Sequence, residues 1–140
     1  MDSIVAFRLA GRLFGVSIMQ VHRVLMGDTP LVEAPGAPPH VRGMIDLQGT
    51  LVAVIDLPLL LFARSESAPA GLGARFVVVR CAGEAELAAL PGDEVLGRVK
   101  LAAEDVMSPP EQVVGGPVTG AFYRDEELGL LLDAERLGLA

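Results

Sequence analysis

The sequence predicts an all-β protein, mainly strands with short helices, organised as two small packed barrels. Three observations carry this. Glycine and proline are frequent, 16 and 10 of 140 residues, which disfavours long helices and marks turns. Apolar residues make up 51% of the chain and fall in short runs bounded by turn residues, the signature of strands. The two halves also echo each other. With Val41 set against Val118, Gly43 meets Gly120, Val54 meets Leu131, Ile55 meets Leu132, Asp56 meets Asp133 and Leu60 meets Leu137 without a gap. Each copy reads as proline-bearing loop, strand, turn, strand, aspartate cap and short helix, which points to duplicated architecture. Closing many short strands on themselves removes exposed edges. A unit of roughly 65 residues buries only about 60% of its surface, so the two units are expected to pack together and leave a groove between them.

The elements follow in order. "IVAFRLAG" and "RLFGVSI" read as two strands joined by a tight turn at Ala10-Gly11. "QVHRVL" is a third strand. In "GDTPLVEAPGAPPH" four prolines forbid helix, so it is a loop. "VRGMIDL" and "TLVAVIDL" form a hairpin with its turn at Gln48-Gly49. Asp56 then caps a short helix over Leu57 to Phe62, with Pro58 in its first turn. "ARSESAPAGLGA" is the main linker. "RFVVVRCAG", "AELAALPG" and "EVLGRVKL" supply three more strands, "SPPEQVVGGP" a second loop, and "VTGAFYRDEELGLLLD" a second hairpin. Asp133 caps a terminal helix in "DAERLGL".

Composition narrows the function. A net charge of −7 opposes a long phosphate-binding surface, so nucleic acid is not an expected partner. One cysteine, Cys81, permits no internal disulfide and fits a reducing cytoplasm. The N-terminus lacks the pattern of a signal peptide. The apolar stretch Val41 to Leu61 is too interrupted by Asp46, Gln48, Asp56 and Pro58 for a membrane helix, so direct membrane contact is not expected. His22 and His40 stand in no ligand spacing with Cys81. No serine sits in a nucleophile elbow, and "GLG" at Gly71 to Gly73 lacks the rest of a phosphate loop. Asp46 lies beside a hairpin turn and faces solvent. No catalytic, cofactor or metal site is therefore expected, and a binding module is favoured over an enzyme with an unrecognised site.

"RLFGVSIMQVHRVL", "VEAPGAPPHVRGMIDLQGTLVAVIDL", "DEVLGRVKLAAEDVMSPP" and "VTGAFYRDEELGLLLDAERL" resemble, in order and along nearly the whole chain, the CheW-like chemotaxis adaptor (coupling protein) family. The resemblance implies one CheW-like domain over 1–140, built of two five-stranded SH3-like barrels. They are placed at about 12–64 and 73–133, with a strand at 3–10 and a helix at 134–139 joining them. It also implies a noncatalytic role coupling the cytoplasmic tip of methyl-accepting receptors to the regulatory domain of a CheA-type histidine kinase, with other CheW-like proteins as further partners. The expected location is the cytoplasm, at receptor arrays on the inner membrane face or in cytoplasmic clusters. The initial Met and final helix favour a free-standing chain over a fragment of a larger signalling protein.

The partner-binding residues expected on this basis are Val16, Ile18, Val21, Arg23, Val24, Arg42, Asp46 and Gln48. Alternation in "FGVSI" sends half of the apolar ones inward, and the alternative that Val16, Ile18, Val21 and Val24 are all core carries equal weight. The chain departs from the family pattern where Arg23 replaces a usual Glu, Gln48 a usual Arg, Asp46 an Asn and Ala53 a Pro. A neutral amide does not replace a guanidinium fork at a bidentate contact. A second reading follows: a divergent paralogue that binds receptor or another adaptor but does not join the kinase.

Overall fold

The computed structural model describes residues 2–26, 29–62, 75–81, 86–111 and 116–137. The expected linker at 63–74 and the chain after Leu137 lie outside them. The strands are β1 (Asp2–Leu9), β2 (Arg12–Ser17), β3 (Val21–Leu25), β4 (Val41–Leu47), β5 (Thr50–Ile55), β6 (Arg75–Cys81), β7 (Glu86–Gly92), β8 (Glu94–Leu101), β9 (Val118–Arg124) and β10 (Glu127–Leu132), with helix α1 (Leu57–Phe62). They form two five-stranded sheets in the orders β8-β1-β2-β10-β9 and β3-β6-β7-β5-β4. These are the two SH3-like barrels, called here the terminal and the middle barrel.

The expected turns are present. Ala10 and Gly11 have φ of 53° and 77°, and Gln48 and Gly49 have 51° and 91°. Positive φ at both central residues matches the twist of a two-residue hairpin. The predicted caps also form. Asp56 Oδ1 accepts from Leu59 N at 3.1 Å at the start of α1. Asp133 Oδ1 accepts from Glu135 N at 3.1 Å at a one-turn 3-10 helix, Ala134–Arg136.

The hairpin repeat read from the sequence is a repeat in space. Hairpin β4–β5 bulges at Arg42 and hairpin β9–β10 at Thr119, the equivalent positions. A single bridge, Val32 to Met44, ties the loop after β3 to β4, and Met107 to Ala121 ties the loop after β8 to β9. Each bridge joins the two edges of its sheet through the loop. Asp56 N donates to His40 O, and Asp133 N donates to Pro117 O.

The duplication extends further than the hairpins. In the middle barrel β5 pairs in parallel with β7 (Ala53 with Ala88), and in the terminal barrel β10 pairs in parallel with β2 (Leu130 with Phe14). Strand β6 therefore corresponds to β1, and β7 to β2. The middle barrel runs in chain order from β3 to β7. The terminal barrel runs β8, β9, β10 and is completed by β1 and β2 from the start of the chain. Sheet membership thus departs from the expected division at 12–64 and 73–133. β2 lies beside β10, and β6 and β7 belong with β3 to β5. The cause is the parallel pairing of β2 with β10 and of β7 with β5, which brings together strands distant in sequence.

Three apolar clusters hold the assembly. Ile45, Val52, Val54, Phe76 and Val78 fill the middle barrel. Ile4, Ala6, Leu13 and Phe122 fill the terminal barrel. The largest cluster lies between them and includes Val5, Phe7, Phe14, Val16, Ile55, Val77, Val79 and Leu137. Alternate residues of β1 and β6 thus enter a barrel interior and the inter-barrel core. Both faces of these strands are dry, which accounts for runs such as "FVVV". The Phe7 and Phe14 rings stack at 5.6 Å between centroids. Burial in this core pushes the Cys81 thiol up to about 11, with Glu86 adding a smaller effect.

Candidate partner-binding surface

The middle barrel carries an open groove of about 770 Å³, lined among others by His22, Met44, Leu51, Arg80, Glu86 and Leu87. Its wall includes part of the proline loop, where Ala37 and Pro38 stand over β4. Proline lacks an N–H and cannot extend a ladder, so this loop makes a bridge and a wall instead of a sixth strand. Leu51 is 55% exposed on the groove, and Val32 is exposed on the bridging loop.

The expected site residues separate into three groups. Arg23, Asp46 and Gln48 are exposed on the middle barrel. Gln48 stands at the tip of β4–β5. Asp46 is tied to that tip, its Oδ1 accepting from Gly49 N at 2.8 Å. Arg23 lies on edge strand β3, opposite Val78 of β6. A second group is half-buried. Ile18 and Val21 pack against the inter-barrel core, and Leu25, the neighbour of Val24, packs on the middle-barrel interior. Arg42 is also half-buried, its Nη1 3.1 Å from Oδ2 of the buried Asp56. That pair joins the β4 bulge to the cap of α1.

Val16 forms the third group and corrects the expectation. It is wholly buried in the inter-barrel core, so it offers no partner surface. Strand β2 is covered on both faces, and alternation then sends no apolar side chain outward.

Two side chains absent from the expected set fix the crossover between barrels. Residues Ile18–Gln20 form a one-turn 3-10 helix between β2 and β3. Gln20 Nε2 donates to Asp133 Oδ1 at 2.8 Å, and its Oε1 accepts from Ala134 N at 3.0 Å. On the other side Arg80 Nη1 donates to Val21 O at 2.9 Å and Met19 O at 3.4 Å. Met19, between these anchors, is exposed. The available signal for Arg80 was a cation directly after the apolar run Phe76 to Val79 in β6.

Among the described residues no group of three or more His, Cys, Asp or Glu side chains is placed to hold a metal ion. Among them, too, no helix is long and apolar enough to cross a membrane. What the surface offers is a groove, exposed apolar side chains and hydrogen-bonding groups.

Known proteins agree with this architecture. The solved structure of the scaffolding protein TtCheW from Thermoanaerobacter tengcongensis superposes with a TM-score of 0.81 and 25% identity, covering 97% of this chain and 86% of that one. The chemotaxis protein CheW of Rhizobium meliloti (strain 1021) is 40% identical over 53 residues, which span 38% of this chain and 34% of that relative. A family model described as the CheW-like domain matches residues 3–138. With its two SH3-like barrels, duplicated hairpins and a family match over residues 3–138, the chain belongs to the CheW-like domain family.

Proposed function

We propose that the chain is a noncatalytic adaptor of a bacterial chemosensory pathway, coupling methyl-accepting receptors to a CheA-type histidine kinase in the cytoplasm. The observation that carries this reading is the family match over residues 3–138. The surface supports it. Arg23, Asp46 and Gln48 are exposed on one barrel, and the groove lies on the same barrel. The chain acts on kinase activity as a member of a complex, without binding ATP or transferring phosphate itself. The test is a pull-down and kinase assay with a CheA-type regulatory domain and a receptor cytoplasmic fragment, singly and together. Ternary assembly with altered autophosphorylation is the expected result. Phosphorylation of this chain at one reproducible residue, or no binding to either fragment, overturns the reading.

A second reading is favoured by the exposure of both Arg23 and Gln48. Relative to the family pattern the first reverses a charge and the second removes one. A partner suited to the usual pattern meets a like charge at β3 and loses a charge-assisted bond at the hairpin tip, an effective way to exclude it. On this reading the chain binds receptor or another CheW-like protein and leaves the kinase out. The double change Arg23→Glu with Gln48→Arg discriminates. Strengthened kinase binding supports the divergent-paralogue reading. Equal binding before and after makes these positions neutral.

A further inference from the structure

The duplication supplies an internal comparison for the groove. Arg8 on β1 and Arg80 on β6 are equivalent residues, each opposite a leucine of the next strand, Leu13 and Leu87. In the terminal barrel Arg8 is fully engaged. Its Nε and Nη2 both donate to the Glu127 carboxylate, and Nη1 donates to Glu94 at 2.9 Å. In the middle barrel the position equivalent to Glu127 is Thr50, and Gln20 faces Asp133 instead of Arg80. Arg80 uses one nitrogen on two backbone carbonyls. Among the described residues it pairs with no carboxylate, and it lines an open groove. Where the terminal barrel carries its own anion, the middle barrel presents the cation and an opening.

We propose that the Arg80 edge of the groove seats a carboxylate of a partner protein, on a segment whose flanking apolar side chains lie on Met44, Leu51 and Leu87. The occupant's chemistry is that of Glu127, supplied from outside. A guanidinium pre-oriented by two backbone contacts offers its remaining N–H groups at little further entropic cost, and bidentate capture of a carboxylate gives direction as well as attraction. Glu86 also lines the groove. The anion seat is therefore the Arg80 edge and not the groove as a whole. This rests on the adaptor reading only for the identity of the partner, not for the existence of the seat.

Two probes keep the questions apart: a displayed library of random peptides, and a CheA-type regulatory domain with a receptor cytoplasmic fragment. Library selection on the wild-type protein is expected to enrich Glu or Asp flanked by Leu, Val or Met. Thr50→Glu supplies the carboxylate internally, as in the terminal barrel, and is expected to weaken the selected peptides at least about tenfold with the melting temperature unchanged. Arg80→Leu is expected to weaken them as well. Because it also releases the Met19 and Val21 carbonyls, Thr50→Glu is the deciding variant. Arg80→Lys keeps the charge and is expected to retain part of the affinity. A library showing no acidic preference, or peptides indifferent to Thr50→Glu, overturns the proposal. Acidic peptides selected while both pathway fragments fail to bind uphold the seat and break the adaptor reading. Fragments that bind the wild type, Thr50→Glu and Arg80→Leu equally, with no acidic preference in the library, uphold the adaptor and sink the seat.

Discussion

The two barrels share a backbone plan and differ in what they show to solvent. The bulges at Arg42 and Thr119, the closing bridges and the caps Asp56 and Asp133 occupy equivalent places. Outside that frame they diverge. The terminal barrel neutralises Arg8 with two glutamates of its own, whereas the middle barrel leaves a groove beside Arg80. At the hairpin tips, Asp46 holds its own turn where its counterpart Tyr123 is an exposed aromatic. Duplication fixed the hydrogen-bonded frame, and the surfaces were left to specialise. Binding function is therefore to be sought where the copies disagree, and stability where they agree.

The largest test of that division lies in the interiors. Phe76 and Phe122 are wholly buried, one in each barrel. Either one changed to Ala is expected to cost about 3–5 kcal/mol in urea denaturation. Because the inter-barrel core is common to both barrels, each variant is expected to unfold in one transition. Cys81 gives the check, since a buried thiol with a pKa of about 11 alkylates at neutral pH only when that core opens. Two separate transitions would show that the barrels are energetically independent.

The caps come next. Asp56→Ala removes a buried carboxylate and leaves Arg42 half-buried without this partner, and is expected to cost about 3 kcal/mol. Asp133→Ala loses a more exposed cap and the Gln20 contact, and is expected to cost about 1 kcal/mol. Thermal denaturation of the two variants measures the gap, and equal losses would mean that the Arg42 pair adds nothing to the cap.

At the closing bridges the larger cost is smaller than at Asp56. A Cβ at Gly43 would stand 2.7 Å from the backbone oxygen of Val32, which cannot move without breaking the bridge. At Gly120 the nearest atoms are a side-chain methyl of Val106 at 3.0 Å and Met107 O at 3.2 Å. Gly43→Ala is expected to cost about 2 kcal/mol and Gly120→Ala about 1 kcal/mol or less, by the same assay.

The smallest effect is electrostatic. Hydrogen bonds from Arg8 hold the Glu127 carboxyl below its ordinary value of 4.5. A depressed folded-state pKa stabilises the protein above the unfolded-state value, and that stabilisation is lost as pH falls through the folded-state one. The difference in melting temperature between wild type and Glu127→Gln is thus expected at neutral pH and to vanish in acid. Thr50→Val, the equivalent change in the middle barrel, is expected to show no such acid-dependent difference.

How far the sequence disclosed this depends on the kind of signal. Tight turns and caps are local, so Gln48-Gly49, Ala10-Gly11, Asp56 and Asp133 could be read directly. The hairpin repeat was visible because it runs in one direction at constant spacing. The match of β1–β2 to β6–β7 was missed because it requires wrapping the chain from its end to its beginning, although Arg8 and Arg80 close similar apolar runs. Val16 was placed on a surface because a two-sided buried strand has no alternation to read. Arg42 looked like a surface charge, and only the bulge that turns it toward Asp56 makes it internal. Arg23 and Gln48 are exposed, and local propensity says nothing about what an exposed side chain meets.

The shuffled strand order has a consequence for synthesis. The middle barrel is one continuous segment of chain, so all five of its strands are available once β7 has left the ribosome. The terminal barrel is not. Its strands β1 and β2 emerge before the other eight, yet β10, the neighbour of β2, is the last of the ten. While the segment up to β10 is being made, the apolar faces of β1 and β2 wait for covers not yet translated, and the nascent chain must hold these two strands in reserve until β10 arrives.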